Sequence, residues 1–463
     1  MKSIKQKACQ QRSGAALIVS MIFVLIFSAL AVSMATISGT NVQIANNQHK
    51  INSAFVSAES GLEITRYWLN RIYIPNSTGP AAILSTIAAS LQNELTINGI
   101  SNITANYDGS KITIPSVTLV STNNTSFAAS LRQLDDDTVQ LDVTGTNGQI
   151  RRTIRVNYDI EPYRSPIFDY GLATKGPLYM NGNVDVNGLN ERIEANVYIE
   201  SEYNLNALSM TGNASIAGDV SIVNPHAIPT VSNSSSIGGE TGQDAIDNHV
   251  TIGVPPIDFP IPELTTFESY VQNTFDPQTN TTQKITLENI RILAGTNPHF
   301  TSNVVLKGIV FIESPNIVKF NADTEITGII IGDGNIDSPP SENQLIFRGH
   351  VESRSVLELP DEPRFSALKQ ETETFILAPG FSVSFGGGFS TLNGVIAASG
   401  VEFFGNAGGT INGSVINYAD TPMTMHGNST LLFDRYRLVE TPAGFDTTRV
   451  LQYDPSSYSE VIL

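Results

Sequence analysis

"AFVSAESGLE" (Ala54–Glu63) decides how the N-terminal region of this chain is read. It sits inside a helical pattern. Ile51, Phe55, Ala58, Leu62, Leu69 and Ile72 follow at steps of three, four or seven, and no proline appears until Pro75. Upstream, Ala15 to Ile37 carries no charge. That run of about 23 residues spans about 35 Å as a helix, enough for a bilayer core. The two patterns join without a break. They predict one helix from about Gly14 to Tyr73, roughly 90 Å long. Its first half is apolar all round and its second half amphipathic.

The junction upstream is "QQRSGAALIVSMIFVLIF" (Gln10–Phe27). Lys2, Lys5, Lys7 and Arg12 precede the apolar run, and no Lys, Arg, Asp or Glu follows until Lys50. The asymmetry puts the N-terminus in the cytoplasm and the bulk of the chain outside. "AVSMA" (Ala31–Ala35) offers an ordinary signal-peptidase site, the alternative to a retained helix. The pattern that continues past it argues for the retained helix. Cys9, the only cysteine, precedes the apolar run, whereas a lipidation site would follow it. One cysteine excludes a disulfide framework within the chain.

A basic leader ending in Gly14, a new N-terminus at Ala15 and a long apolar helix resemble type IV pilins. The closer resemblance is to PilX-type minor pilins, through "SGAALIV" (Ser13–Val19), "IANNQ" (Ile44–Gln48) and "AFVSAESGLE". It covers about the first 70 residues. It implies cleavage between Gly14 and Ala15 by a prepilin peptidase. It also implies helix assembly through Asn46, Ala54, Phe55, Ala58, Glu59, Gly61 and Leu62, with other pilins or pseudopilins as partners in and beyond a bacterial inner membrane. The chain departs from major pilins at Val19, where they carry Glu. A carboxylate is costly in lipid unless paired. Its absence points to a minor, tip-proximal subunit.

The 463 residues are 41% hydrophobic and only 15% charged, so the polar balance comes from Asn, Ser, Thr and Gly, as in strands joined by many turns. Net charge is −18, from 26 basic and 44 acidic residues. That excludes a nucleic-acid surface, which needs clustered cations. Residues 73–165 read as a small α+β head. A second helix starts near Pro80, and alternating strands follow, with a hairpin at "TNGQ" (Thr146–Gln149).

From about residue 166 to 440 the sequence repeats. "LYMNGNVDVNG" (from Leu178), "LSMTGNASIAG" (from Leu208), "MTMHGNSTLLF" (from Met423) and "VEFFGNAGGTI" (from Val401) share an apolar-x-Gly-Asn core. "LIFRGH" (from Leu345) and "VSFGGG" (from Val383) are looser copies. Repeats of this kind predict a right-handed parallel β-helix, the alternative being a β-sandwich. The stretch around Phe385–Tyr418 resembles bactofilin-like and adhesin-like β-helical domains. A Pro-, Gly- and Ser-rich surface excursion is expected at about 225–275, with a short helix at "TTFESYVQNTF" (Thr265–Phe275), and 441–463 reads as a tail.

Chemistry-bearing candidates are few. Asp333 and Asp337 in "GDGNID", and Asp434, Arg435 and Arg437 in "FDRYR", are the carboxylate and cation sets that a β-helical carbohydrate-active enzyme would need. Turn and cap roles explain them. Asp135, Asp136 and Asp137 offer hard oxygens for calcium, but three consecutive side chains do not face one ion. The histidines are scattered singly. No catalytic, cofactor or metal site is assigned. The expectation is a mainly β protein with a long N-terminal helix: a non-enzymatic pilin-like subunit whose head meets an extracellular ligand. A membrane-anchored, carbohydrate-active enzyme is the alternative.

Overall fold

The computed structural model describes residues 13–101, 103–120, 124–337, 339, 341–435, 441–445 and 448–461. Lys2, Lys5, Lys7, Cys9, Arg12 and Arg437 lie outside them. The chain divides into two units: residues 1–74, 78–161 and 450–463, and residues 75–77 and 162–449.

The first unit begins with helix α1, Ser13–Leu69. It ends short of Tyr73 because Ile72 and Ile74 are buried along an extended segment, with a strand at Tyr73–Pro75. Helix α2, Ile83–Ile97, follows a turn opened by Pro80 and buries Ile83, Ile87, Leu91 and Leu95 at helical spacing. A 7-stranded sheet completes the unit. Its order is Tyr73–Pro75, Thr448–Val461, Ile150–Pro162, Thr138–Asn147, Thr125–Gln133, Lys111–Val120 and Asn106–Tyr107. The central strands are antiparallel, with Leu131 opposite Leu141 and Leu141 opposite Val156. Gly148, at φ +62°, turns the expected hairpin.

The tail expected at 441–463 is instead largely a strand, Thr448–Val461, lying inside this sheet. Leu451 and Tyr453 join the first unit's core from it. Residues 162–449 are therefore an insertion between two neighbouring strands of one sheet.

The second unit is sheet-rich. A 14-stranded and a 12-stranded sheet face each other across one apolar core, and the chain passes from one to the other. Nearly all pairings are parallel. Val304–Glu313, for example, runs in register with Thr324–Asp333 along its full length. The stacking order is not the chain order. Leu172–Thr174, the first strand of the 12-stranded sheet, pairs with the last, Val415–Asn417. From that middle position successive strands build outward to Val250–Ile252 at one end. The chain then resumes at the other end with Asn273–Thr274 and builds back.

The expected excursion is mostly structured. Residues 230–252 form short strands and a helix, Gly242–His249. The chain beyond crosses from one end of the stack to the other. Phe259 and Phe267 on it pack with Tyr198, Phe311, Ile331 and Tyr418 in a separate apolar cluster. It is a strap over the outer face of the 12-stranded sheet, and with Val356, Leu359, Phe365, Leu368, Ala443 and Phe445 it covers that face, so Thr374–Ala378 is buried at every residue. The strap's Pro and Gly residues lie in irregular backbone at 253–264, and the large apolar residues among and beyond them are anchors. The expected helix at Thr265–Phe275 is a 3-10 turn, Thr265–Tyr270, followed by a two-residue strand.

The repeated Gly-Asn cores stack on one another. Gly212 lies beside Gly182, and Gly182 beside Gly427. A Cβ on Gly182 would stand 2.6 Å from the Gly427 carbonyl oxygen, and φ there is +105°. Position and conformation both require glycine. Beside this column runs a ladder of rings. Phe300, Phe320, Phe347, Phe385 and Phe403 stack with centroids 5.2, 4.8, 5.1 and 5.4 Å apart. Phe347→Ala removes a fully buried ring with a partner on each side. It should cost about 3–5 kcal/mol, read as a lower denaturant midpoint for the second unit.

Candidate assembly helix and polar clusters

Helix α1 has two halves of different exposure. From Leu17 to Ile44 its large apolar side chains, Val19 included, face outward with no protein cover. The helix is long and apolar enough to cross a membrane. Gly14 and Ala15 lie in its first turn, and Asn46 is exposed.

The second half docks on the sheet through the "AFVSAESGLE" segment. Ala54, Ser57, Ala58, Gly61, Leu62 and Thr65 are buried, Phe55 is partly buried against the core, and Glu59 faces out. The small residues are there for contact distance. A Cβ on Gly61 would lie 2.5 Å from Cγ of Phe127. Across the interface, a Cβ on Gly145 would lie 2.1 Å from the Ala54 carbonyl oxygen and 2.2 Å from the Ala58 nitrogen. Two glycines, one per element, let a ring seat on the helix and the helix backbone touch the strand. Buried Thr65 and Ser57 return their hydroxyls to the Gly61 and Ser53 carbonyls at 2.8 Å, so neither is left unpaired. Glu63 and Arg66 form an i, i+3 pair at 3.5 Å, and Arg66 also stacks on Tyr453 at 4.8 Å. The apolar spacing alone located Ala58 and Leu62. It did not find Ser57, Gly61 and Thr65, whose signal is small size on the buried face.

The carboxylate candidates separate. Asp333 ends its strand beside Glu313, not beside Asp337. Burial raises its pKa, as do the Glu268 and Glu313 charges. Arg291 bridges those two carboxylates at 2.9 and 3.0 Å. Asp337 sits in a turn closed by its own N–H donating to Asn335 Oδ1.

Asp434 accepts from Asn190 Nδ2 at 3.1 Å, while Arg435 turns away and donates to the Phe168 and Asp169 carbonyls. Burial holds the Arg435 guanidinium down to about 10. The hub of this cluster is Glu194, buried and unforeseen in the sequence. It accepts the N–H groups of Asn190, Glu191 and Arg435. The signal for it is Glu three residues after Glu191, a capping-box spacing. Asp135–Asp137 lie exposed in a hairpin loop, with the Asp137 N–H donating to Asp135 Oδ1. Among the described residues, no three His, Cys, Asp or Glu side chains gather to hold a metal ion.

The model of the PilX N-terminal family matches residues 13–63. No curated protein matches the chain. Among solved structures, the competence-associated pilin ComZ from Thermus thermophilus aligns over 89% of this chain and 98% of its own, at 12% identity and a TM-score of 0.23. The N-terminus is type IV pilin-like over the matched residues.

Gly61→Ala drives a methyl into Phe127 and should cost about 1–3 kcal/mol. Thermal unfolding of the first unit checks it, and Phe127→Leu should restore part of the loss in the double variant. Burial opposes the Glu194 charge, but the N–H donors outweigh it and its pKa is lowered. Its contribution to stability is thus present above the unfolded carboxylate value and lost as pH falls through the folded one. Glu194→Gln should lower the unfolding midpoint at pH 7 and flatten its decline between about pH 5 and 3.

Proposed function

We propose that the chain is a non-enzymatic, minor pilin-like subunit of a type IV pilus or pseudopilus. A prepilin peptidase removes the leader after Gly14. The apolar half of α1 rests in the inner membrane, with its N-terminus in the cytoplasm, and then packs among the helices of other pilins. Helix and 7-stranded sheet form the pilin module. The inserted second unit is a right-handed parallel β-helix, displayed outside the membrane for adhesion or partner binding.

The observation that carries this reading is the agreement between the family match at residues 13–63 and the packing of the same segment. The motif residues that make it recognisable are those that fit the helix to its sheet, with Glu59 and Asn46 left outward. Val19, uncharged and exposed, suits a subunit that meets no neighbouring N-terminal amine at that depth. The enzyme alternative has less support, because Asp434 and Arg435 spend their polar groups on local hydrogen bonds.

Mass spectrometry of the mature protein should find Ala15 as the first residue, and Gly14→Leu should leave the leader in place. Immunolabelling of sheared pili should detect the chain. An intact Met1 or a cut near Ala35, together with absence from pili, would remove the reading.

A further inference from the structure

The outer face of the 14-stranded sheet is unlike the strap-covered outer face of the 12-stranded one. Along it, one outward row runs through Tyr179, Thr424, Glu402, Ser384, Ile346 and Lys319, each in register with the next. At strand spacing this row is about 24 Å long. In the neighbouring row, His426 follows Asn181. The Phe404 ring lies 5.9 Å from the His426 ring at 31°. A groove of 470 Å³ follows the middle of the row, from Ile346 through Ser384 and Glu402 to Thr424.

Two features mark the groove as more than a solvated surface. The first is the seat of Phe404. A Cβ on Gly386 would stand 2.5 Å from Cζ of that ring, so the tip of the aromatic fills the space that a side chain at 386 would take. The second is the polar set around it: Ser382, Ser384 and Thr424 hydroxyls, the Gln344 amide and Glu402, which sits 3.4 Å from Thr424 Oγ1 and 3.9 Å from His426 Nε2. Hydroxyl and amide groups beside a flat ring complement a surface that is apolar on one face and hydroxylated at its edge.

Other partner classes fit less well. The strands of the groove are interior to the sheet, so their backbone groups are already paired and cannot accept a peptide strand. Apolar anchoring is limited to Phe404, Ile346, Pro422, Val383 and Val401, the last two of which point into the core. A polyanion would meet Glu402 and a chain of net charge −18. A polycation would meet Arg348 in the groove and Lys319 at the end of the row.

We propose that this face binds an extended neutral glycan, lying along the stack with sugar rings against Phe404 and Tyr179. The inference rests on the proposed function only in placing this face outside the cell. The test is calorimetric titration of the full-length protein in detergent with cello-, chito- and manno-hexasaccharides, with hexagalacturonate and hexalysine as charged controls. At least one neutral hexasaccharide should bind. Phe404→Ala and Gly386→Ala, the second tilting the ring without removing it, should each weaken it by about tenfold. Tyr179→Ala replaces either variant whose unfolding midpoint falls. Binding of none of the neutral sugars, preference for a charged control, or indifference to the substitutions overturns the proposal. Pilus labelling is read separately, so a protein that binds glycan but is absent from pili sinks the filament reading and leaves this one standing.

Discussion

The second unit depends on a pairing between its two ends. Leu178–Gly188 and Met423–Phe433 form an in-register parallel ladder along their whole length, from Met423 opposite Leu178 to Phe433 opposite Gly188. In the companion sheet Leu172–Thr174 does the same with Val415–Asn417. Without that seam, the strands that build outward from Leu172 and those that build back toward Val415 would be separate stacks, each with an open edge in its middle. Open parallel edges recruit other strands. Closing the seam means bringing together segments far apart in sequence, which costs entropy that grows only slowly with loop length but delays the step. The strap has a matching role. It carries the chain between the two ends of the stack while sealing one outer face with Phe259 and Phe267.

Polar backbone at the corners is satisfied from within. Asn316 and Asn343 are buried, and each spans neighbouring turns: Asn316 takes the Asn297 N–H and gives to the Leu293 and Glu313 carbonyls, while Asn343 takes the Asn316 N–H and gives to the Gly380 carbonyl. Asn417 links Gly400 to Thr174 in the same way. These side chains stand where a buried amide without a partner would be expensive. They explain a composition rich in Asn and poor in charge.

Much of this was legible in the sequence, and for stated reasons. The "MNGN", "MTGN", "MHGN" and "FFGN" segments look alike because they are spatial neighbours, so the likeness of Leu178 and Met423 regions already encoded the seam. The docking face of α1 was visible in Ala58 and Leu62. Its glycine contacts were not, because a Gly in a helix reads as a weak point until its neighbour is known. The last strand is not legible as one, because it carries Pro455 and a turn in which the Ser456 N–H donates to Asp454 Oδ1. The strap reads in the sequence as a surface excursion because its anchors, Phe259 and Phe267, are single large residues in Pro-rich chain. Asp434 and Arg435 were adjacent in sequence, yet their side chains serve different partners, a distinction that spacing does not carry.

Insertion has a mechanical consequence. Residues 162–449 leave the sheet of the first unit at Ile150–Pro162 and rejoin it at Thr448–Val461, its neighbour. A module appended at a chain end transmits any pull through one covalent connection. This one transmits it through two, side by side in one sheet, so tension on the inserted unit is divided before it reaches the helix. The same tether means that a single backbone cut in either connection leaves the inserted unit attached.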